Sequence, residues 1–343
     1  MLKIILRHVS LLILTLFILS FFSFSLAYLF PGDPLVNLTG IRDSSEQGYA
    51  ILAKQYAMQG SFLSQYWEYV NHLFSGNWGL SFSSGLPLAE EISRSLAASV
   101  ELSAYALIVS FVVGLPLGFL AGLRHHKLTD FALLTTSVIG YSIPVFWAAL
   151  IAILIFSIQL GWFPLSGRIS LLYDIPYQTG FILIDILLSD LPDKEFAFKD
   201  ALRHLVLPSV SIAIVTCTIV MRITRRSVVE VMSSEYIQAA YARGLSPRQV
   251  FLRHGVKNAL IPILPLLVMQ FTTLLTNAMI VETIFSWPGI GNGLIQAIYQ
   301  RDFPAIRAGM LAVSALVLTF TITIDMVIQI FDPAGRRPEN ATS

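Results

Sequence analysis

The chain has little charge and almost no cysteine. Asp, Glu, Lys and Arg make up 13% of its 343 residues, against about a quarter in ordinary soluble domains. That shortage excludes a water-facing surface over most of the chain. A net charge of +1 leaves no electrostatic case for nucleic acid. The one cysteine, Cys217, permits no internal disulfide and no thiolate metal site, and its apolar surroundings in the sequence suit a small buried residue. No Gly-x-x-x-x-Gly-Lys-Ser/Thr segment is present to cradle nucleotide phosphates, so the chain should not hydrolyse ATP itself. Gly289-Ile-Gly291-Asn-Gly293 lacks the strand, the third-glycine spacing and the downstream acid of a dinucleotide site, and reads as an outer turn. His125-His126 is the one adjacent histidine pair. Neighbouring residues rarely converge on one ion, so neither a metal site nor a catalytic cluster is expected.

What is present in quantity is apolar. Hydrophobic residues reach 55% with a mean hydropathy of +0.71. A bilayer crossing needs about 20 apolar residues, and six stretches qualify, at about 9–30, 98–123, 131–160, 204–221, 260–284 and 308–331. The expected fold class is therefore an all-α polytopic membrane protein with six transmembrane helices. Of the 22 Lys/Arg, 13 fall on the N-terminal side of such a layout: Lys3, Arg7, Arg124, Lys127, seven between 222 and 257, Arg336 and Arg337. Positive charge marks the cytoplasmic face, so both termini are expected in the cytoplasm. The first run is too long for a signal-peptide core of about 7–15 residues and reads as an uncleaved helix.

The polar island from Arg222 to Lys257 is the most informative stretch. Val228 to Arg243 reads as one helix. Gly244 permits the positive φ that ends a helix and turns the chain, and Ser246 can cap a second helix with Pro247 in its first turn. The small patch Ala239, Ala240 and Ala242 would let another protein's backbone approach closely. A solvated basic loop that only sets topology is the plain alternative.

Gln238-Ala-Ala-x-x-x-Gly244 resembles the EAA loop of ABC importer permeases, the coupling helix that docks on the ATP-binding subunit. Pro31-Gly-Asp-Pro34, Ser142-Ile-Pro-Val-Phe-Trp147, Leu160 to Arg168, Asn258 to Pro262, Glu282-Thr-Ile-Phe-Ser-Trp-Pro-Gly289 and Asp332-Pro333 extend the resemblance to nearly the whole chain. Together they resemble the first permease of dipeptide/oligopeptide/nickel transporters, with Phe285 to Gly289 and Gly180 to Asp190 most similar to the Sap branch. That branch is linked to antimicrobial-peptide resistance and to polyamine export. The resemblance implies a type I importer permease fold of the MetI kind and a permease subunit, not an enzyme, in a Gram-negative inner membrane. It also implies a second homologous permease, ATP-binding subunits carrying ATP and Mg, and a periplasmic solute-binding protein. No cofactor is expected on this chain. Coupling would fall to Glu235, Tyr236, Gln238, Ala239, Ala240, Gly244, Leu245 and Ser246. The usual acid of the EAA loop is Gln238 here, and Asn277 stands where many relatives carry Gly.

The layout then reads as a first span at 1–30, a periplasmic loop at 31–97, a five-helix core at 98–331 and a cytoplasmic tail at 332–343. Within the loop, Ser61 to Phe74 has helical spacing of aromatics and suits an interfacial helix. The core holds a periplasmic loop at 161–203 and the coupling loop at 222–257. Ionisable and polar groups at membrane depth are costly and point to function or to pairing. Gln270, Thr273 and Asn277 recur at i, i+3, i+7, and with Glu282 and Asp325 they are the candidate translocation path. Glu101, at the start of the second span, and Glu282 also suit structural pairing, the latter by fixing the Trp287-Pro-Gly289 turn. Peptide, including cationic antimicrobial peptide, is the expected cargo, with polyamine export and nickel as alternatives. A self-contained secondary transporter would need an internal repeat, and none is evident.

Overall fold

The computed structural model describes residues 2–42, 45–260 and 263–331, apart from the side chains of 2–4, 264–269, 325 and 327–331. The described residues form helices α1 (Leu2–Leu29), α2 (Pro34–Thr39), α3 (Glu46–Gln55), α4 (Phe62–Phe74), α5 (Leu88–Leu123), α6 (Leu128–Ser142), α7 (Val145–Ala152), α8 (Ile182–Leu188) and α9 (Lys194–Met232). They continue with α10 (Glu235–Ala242), α11 (Pro247–Val250), α12 (Val256–Leu260), α13 (Leu264–Ile284), α14 (Ile290–Gln300) and α15 (Phe303–Phe331), with π-helical segments at Ile153–Gln159 and Phe251–Gly255. The described residues fall into two compact units, one from the stretches before 98 and after 288 and one from the stretch between them.

In the first unit α1 runs along α15. The Ser61 side chain caps α4, and Tyr66 and Tyr69 bury against Phe24 of α1 at ring-centroid distances of 5.6 and 5.4 Å. Phe62, Leu63, Trp67 and Phe74 stay exposed. Two buried charged side chains tie α2 and the segments between α2 and α5 to the start of α15. Arg307 donates to the Tyr69 hydroxyl at 2.8 Å and to the backbone carbonyls of Leu38 and Trp78 at 3.0 and 3.3 Å. The Asp302 carboxylate accepts from the Ser81 hydroxyl at 2.6 Å, from the Ser83 amide and hydroxyl at 3.0 Å each, and from the Ala305 amide at 3.1 Å.

In the second unit α9 is the axis on which α6, α7, α8, α12 and α13 pack. Closeness to α5 comes from glycine. A Cβ on Gly114, Gly118 or Gly122 would lie 2.9 Å from the Cys217 carbonyl, 2.5 Å from Thr224 Cβ or 2.6 Å from Val228 Cβ. Three glycines at spacing four thus let two helix backbones meet. An apolar cavity of about 340 Å³ remains among α5, α6 and α9, with Cys217, half-buried, in its wall.

Four helices, α1, α5, α9 and the 303–324 part of α15, are long and apolar enough to cross a membrane, and α6 with α7 and its π-helical continuation makes a fifth. The stretch expected as a continuous span at 131–160 is bent by 96° between its halves. Pro144 causes the break, because it has no N–H to donate and disfavours the helical region at Ile143, which is extended at ψ 120°. The sixth expected stretch coincides with α13, whose first six side chains fall outside the described residues. Helix α9 has 39 residues, about 58 Å at ~1.5 Å per residue. It therefore outruns a hydrocarbon core of about 30 Å and absorbs the end of the loop expected at 161–203 and the start of the one expected at 222–257. Glu101 lies inside α5, not at its start. The glycine segment read as an outer turn is the start of α14, which Gly289 caps; Ile290, Leu294 and Ala297 bury one face.

Candidate functional site

The island folds into a small module at the end of α9. The expected single helix from Val228 to Arg243 is interrupted at Ser233-Ser234, where Ser234 turns extended at ψ 152°. Both serines bond backward, Ser233 to the Glu230 carbonyl at 3.0 Å and Ser234 to the Val231 carbonyl at 2.5 Å. Such local bonds compete with the helix ladder and favour a new start. Helix α10 ends at Gly244, whose φ is +80° and whose amide donates to the Tyr241 carbonyl at 2.9 Å. Ser246 and Gln249 then form a reciprocal capping box with Pro247 in the first turn of α11.

Ile237, Ala240 and Val250 close a miniature core with Met232 and Leu245 against it. That placement divides the expected coupling residues. Glu235, Tyr236, Gln238, Ala239, Gly244 and Ser246 are exposed, Leu245 is half-buried, and Ala240 is turned inward. Ala239 and Ala242 therefore present the small-residue face, without Ala240. The Tyr236 hydroxyl accepts from the Asn258 side chain at 3.1 Å, and Ser227 donates to the Ala259 carbonyl at 2.7 Å. These bonds fasten the returning segment to α10 and to α9. Asp130, in the first turn of α6, accepts from Arg225 at 2.5 and 2.8 Å and lies 3.1 Å from His125. The island is thus braced against the spans as well as connected to them.

On α13 the structure separates the candidate path residues. Thr273 is exposed and Asn277 half-buried, on the side away from Leu274, Ala278 and Val281, which face the core. Gln270 is half-buried, and its Oε1 has no hydrogen-bond partner among the described residues. Glu282 follows Asn277 by five residues, about 140° around a helix of 3.6 residues per turn. It is fully buried, and its carboxylate accepts from the Ser99 hydroxyl at 2.5 Å. The Trp287 amide donates to the Glu282 backbone carbonyl at 2.8 Å, and the Trp287 indole donates to the Ala98 carbonyl at 3.0 Å. The side chain of Asp325 lies outside the described residues.

Sequence reasoning missed the partners. Glu101 is buried in an ion pair with Arg168, which also donates to the Gly180 carbonyl at 2.5 Å and lies over the Trp287 ring. Arg168 and Glu101 are 67 residues apart, and no local signal joins them. Asp185 was equally silent within the 161–203 segment. It accepts from the Thr179 amide at 2.7 Å and hydroxyl at 2.6 Å, and from the Gly180 amide at 3.0 Å. Burial alone would raise its pKa, but these bonds outweigh burial and hold it below the ordinary carboxylate value.

Residues 114–337 match the family described as "Binding-protein-dependent transport system inner membrane component", and residues 1–87 match its N-terminal component. The chain belongs to that family. It is the permease subunit of a binding-protein-dependent ABC transporter in the inner membrane and is not itself catalytic. It is 40% identical over 336 residues to the "Di/tripeptide transport system permease protein DppB" of Pseudomonas aeruginosa, covering 98% of this chain and 99% of that protein. It is 39% identical over 329 residues to the "Putrescine export system permease protein SapB" of Escherichia coli, covering 96% and 95%. Against a solved MetNI methionine ABC transporter, the TM-score is 0.49 at 15% identity over 70% of this chain and 96% of that one.

Proposed function

We propose that the chain carries peptides across the inner membrane as one of two homologous permeases in an importer. ATP and Mg sit on partner ATP-binding subunits, and a periplasmic binding protein delivers the cargo. The observation that carries the coupling role is the exposed face of α10, held by its own miniature core at the end of a continuous 39-residue helix. A docking protein that pushes on Glu235, Tyr236, Gln238 and Ala239 moves α9 as a lever. The peptide cargo is supported by the 40% identity to the di/tripeptide permease over 98% of the chain. A type I importer permease with six spans and both termini cytoplasmic completes the reading, with α13 as the sixth span. Thr273, Asn277 and Thr276 then face the path, because exposed polar groups on a membrane helix need water or a partner helix.

Cells producing the whole transporter should take up a labelled tripeptide and lose that uptake when this chain alone is removed; unchanged uptake refutes the proposal. For orientation, Gln178→Cys should react with an impermeant thiol reagent from outside and Gln249→Cys should not. A reactive Gln249→Cys overturns the layout. Putrescine export is the second reading, favoured by the 39% identity to the putrescine-named relative.

A further inference from the structure

Arg222 has no structural task comparable to that of its neighbours. Arg225, one turn further on, is spent on Asp130. Arg222 is exposed, and among the described residues it makes no ion pair. Its guanidinium lies over the ring of Tyr141, 5.1 Å from the centroid, and that ring is itself 54% exposed. The depth of this pair follows from the packing of α6 on α9. Asp130 of α6 meets Arg225, whereas Gly140 is set against Thr218 and Ile214. Arg124, Lys127 and the Asp130 pair mark the polar end of these helices. Tyr141 lies eleven residues beyond Asp130, about 16 Å along the α6 axis. The guanidinium therefore reaches well inward from the polar end, onto a half-exposed aromatic face.

A cation at that depth is costly against lipid and belongs beside water, a partner or cargo. The aromatic face takes one side of the guanidinium plane, and among the described residues no carboxylate takes its N–H edge. That edge is a planar fork shaped for a carboxylate.

We infer that Arg222 and Tyr141 form a station on the translocation path that receives the carboxylate of peptide cargo. The inference rests on the peptide reading above and sharpens it. An unblocked peptide ends in a carboxylate, whereas putrescine is a diamine that has none and is repelled by the cation. The station thus selects between the two cargoes that the relatives name.

The test uses the complete transporter in proteoliposomes, with ATP-driven uptake of a tripeptide and of the same tripeptide as its C-terminal amide. Arg222→Gln should cut uptake of the free acid about ten-fold or more, the scale of a lost charge-assisted pair. Amide uptake should stay at its wild-type level, and the amount of assembled complex should not change. Arg222→Lys keeps the charge without the fork and should fall between; Tyr141→Phe keeps the ring and should behave as wild type. Free-acid uptake that is unchanged in Arg222→Gln, or acid and amide uptake that fall together, overturns the station, the second result pointing to a carboxylate of a partner subunit. A wild-type complex that carries putrescine and no peptide overturns the peptide reading itself and the station with it.

Discussion

Neighbouring alanines in α10 should respond in opposite ways to the same substitution. Ala239 points outward and Ala240 inward, the latter 8% exposed beneath Ile237 and Val250. Ile237 and Val250 are both fully buried. At about 1.5–3 kcal/mol for each such side chain, they supply roughly 3–6 kcal/mol to the module. Placing an arginine at 240 buries an unpaired charge at a cost of several kcal/mol, which matches or exceeds that contribution, so the module should open. Arginine at 239 remains in solvent, where substitutions stay within about 0.5 kcal/mol, but it lies on the face proposed to dock on the ATP-binding subunit. Limited proteolysis around residues 233–255 should show Ala240→Arg cut rapidly and Ala239→Arg as resistant as wild type. Both should lose stable association with the ATP-binding subunits on size exclusion. If Ala239→Arg keeps its partners and couples ATP hydrolysis normally, α10 is not the docking face. If Ala240→Arg resists protease, the miniature core has been misjudged.

Three further substitutions test other parts of the account. Gly118→Leu forces α5 and α9 apart, since even a Cβ would lie 2.5 Å from Thr224 Cβ and 2.7 Å from the Met221 carbonyl. Overpacking of about 1–3 kcal/mol should lower Tm in detergent by roughly 2–10 °C, and an unchanged Tm would argue against the close contact. Asp302→Ala removes the N-terminal cap of α15 and orphans the donors of Ser81 and Ser83, together about 2–5 kcal/mol. Burial pushes the Asp302 carboxyl up, but hydrogen bonds from Ser81, Phe82, Ser83 and Ala305 outweigh burial and hold it below its ordinary value of 3.8. Its stabilisation is therefore complete above about pH 4 and is lost as the pH falls below that through the lowered value. Between pH 5 and 3 the Tm of Asp302→Asn should fall less steeply than that of wild type, and parallel curves would contradict this. Glu282→Gln keeps an acceptor for Ser99 inside the core, so it should change uptake of cationic and neutral peptides equally; a selective loss of cationic cargo would return Glu282 to the path.

The elements that sequence revealed are those with a local cause. Gly244, Ser246 and Pro247 define a turn and a cap by their own chemistry, and the structure places a positive φ and a capping box there. Apolar runs gave four spans and the bent pair that makes a fifth, because burial in lipid is a composition effect. Breaks depended on competition that composition does not show. Ser233-Ser234 splits the helix expected over 228–243 through backward hydrogen bonds, and the glycine-rich start of α14 hides an amphipathic face carried by Ile290 and Leu294. Pairings over distance were illegible for a simpler reason. Glu101 with Arg168, Asp130 with Arg225 and Asp302 with Ser81 depend on tertiary approach, and each carboxylate alone reads equally well as cargo-binding or as structural. On α13 the i, i+3, i+7 pattern picked out Gln270, Thr273 and Asn277, of which Thr273 is exposed and the other two half-buried, but extending it to Glu282 ignored the five-residue step that turns that side chain into the core.

The central claim, a peptide permease driven by ATP-binding partners, is tested most directly by flux through the purified complex in proteoliposomes loaded with ATP-regenerating medium. With the nucleotide-binding side inside, a tripeptide presented outside with the binding protein should accumulate only with ATP, and hydrolysis should rise with the peptide. Accumulation should vanish in Ala239→Arg. ATP hydrolysis stimulated by putrescine, with no movement of peptide, would contradict the account.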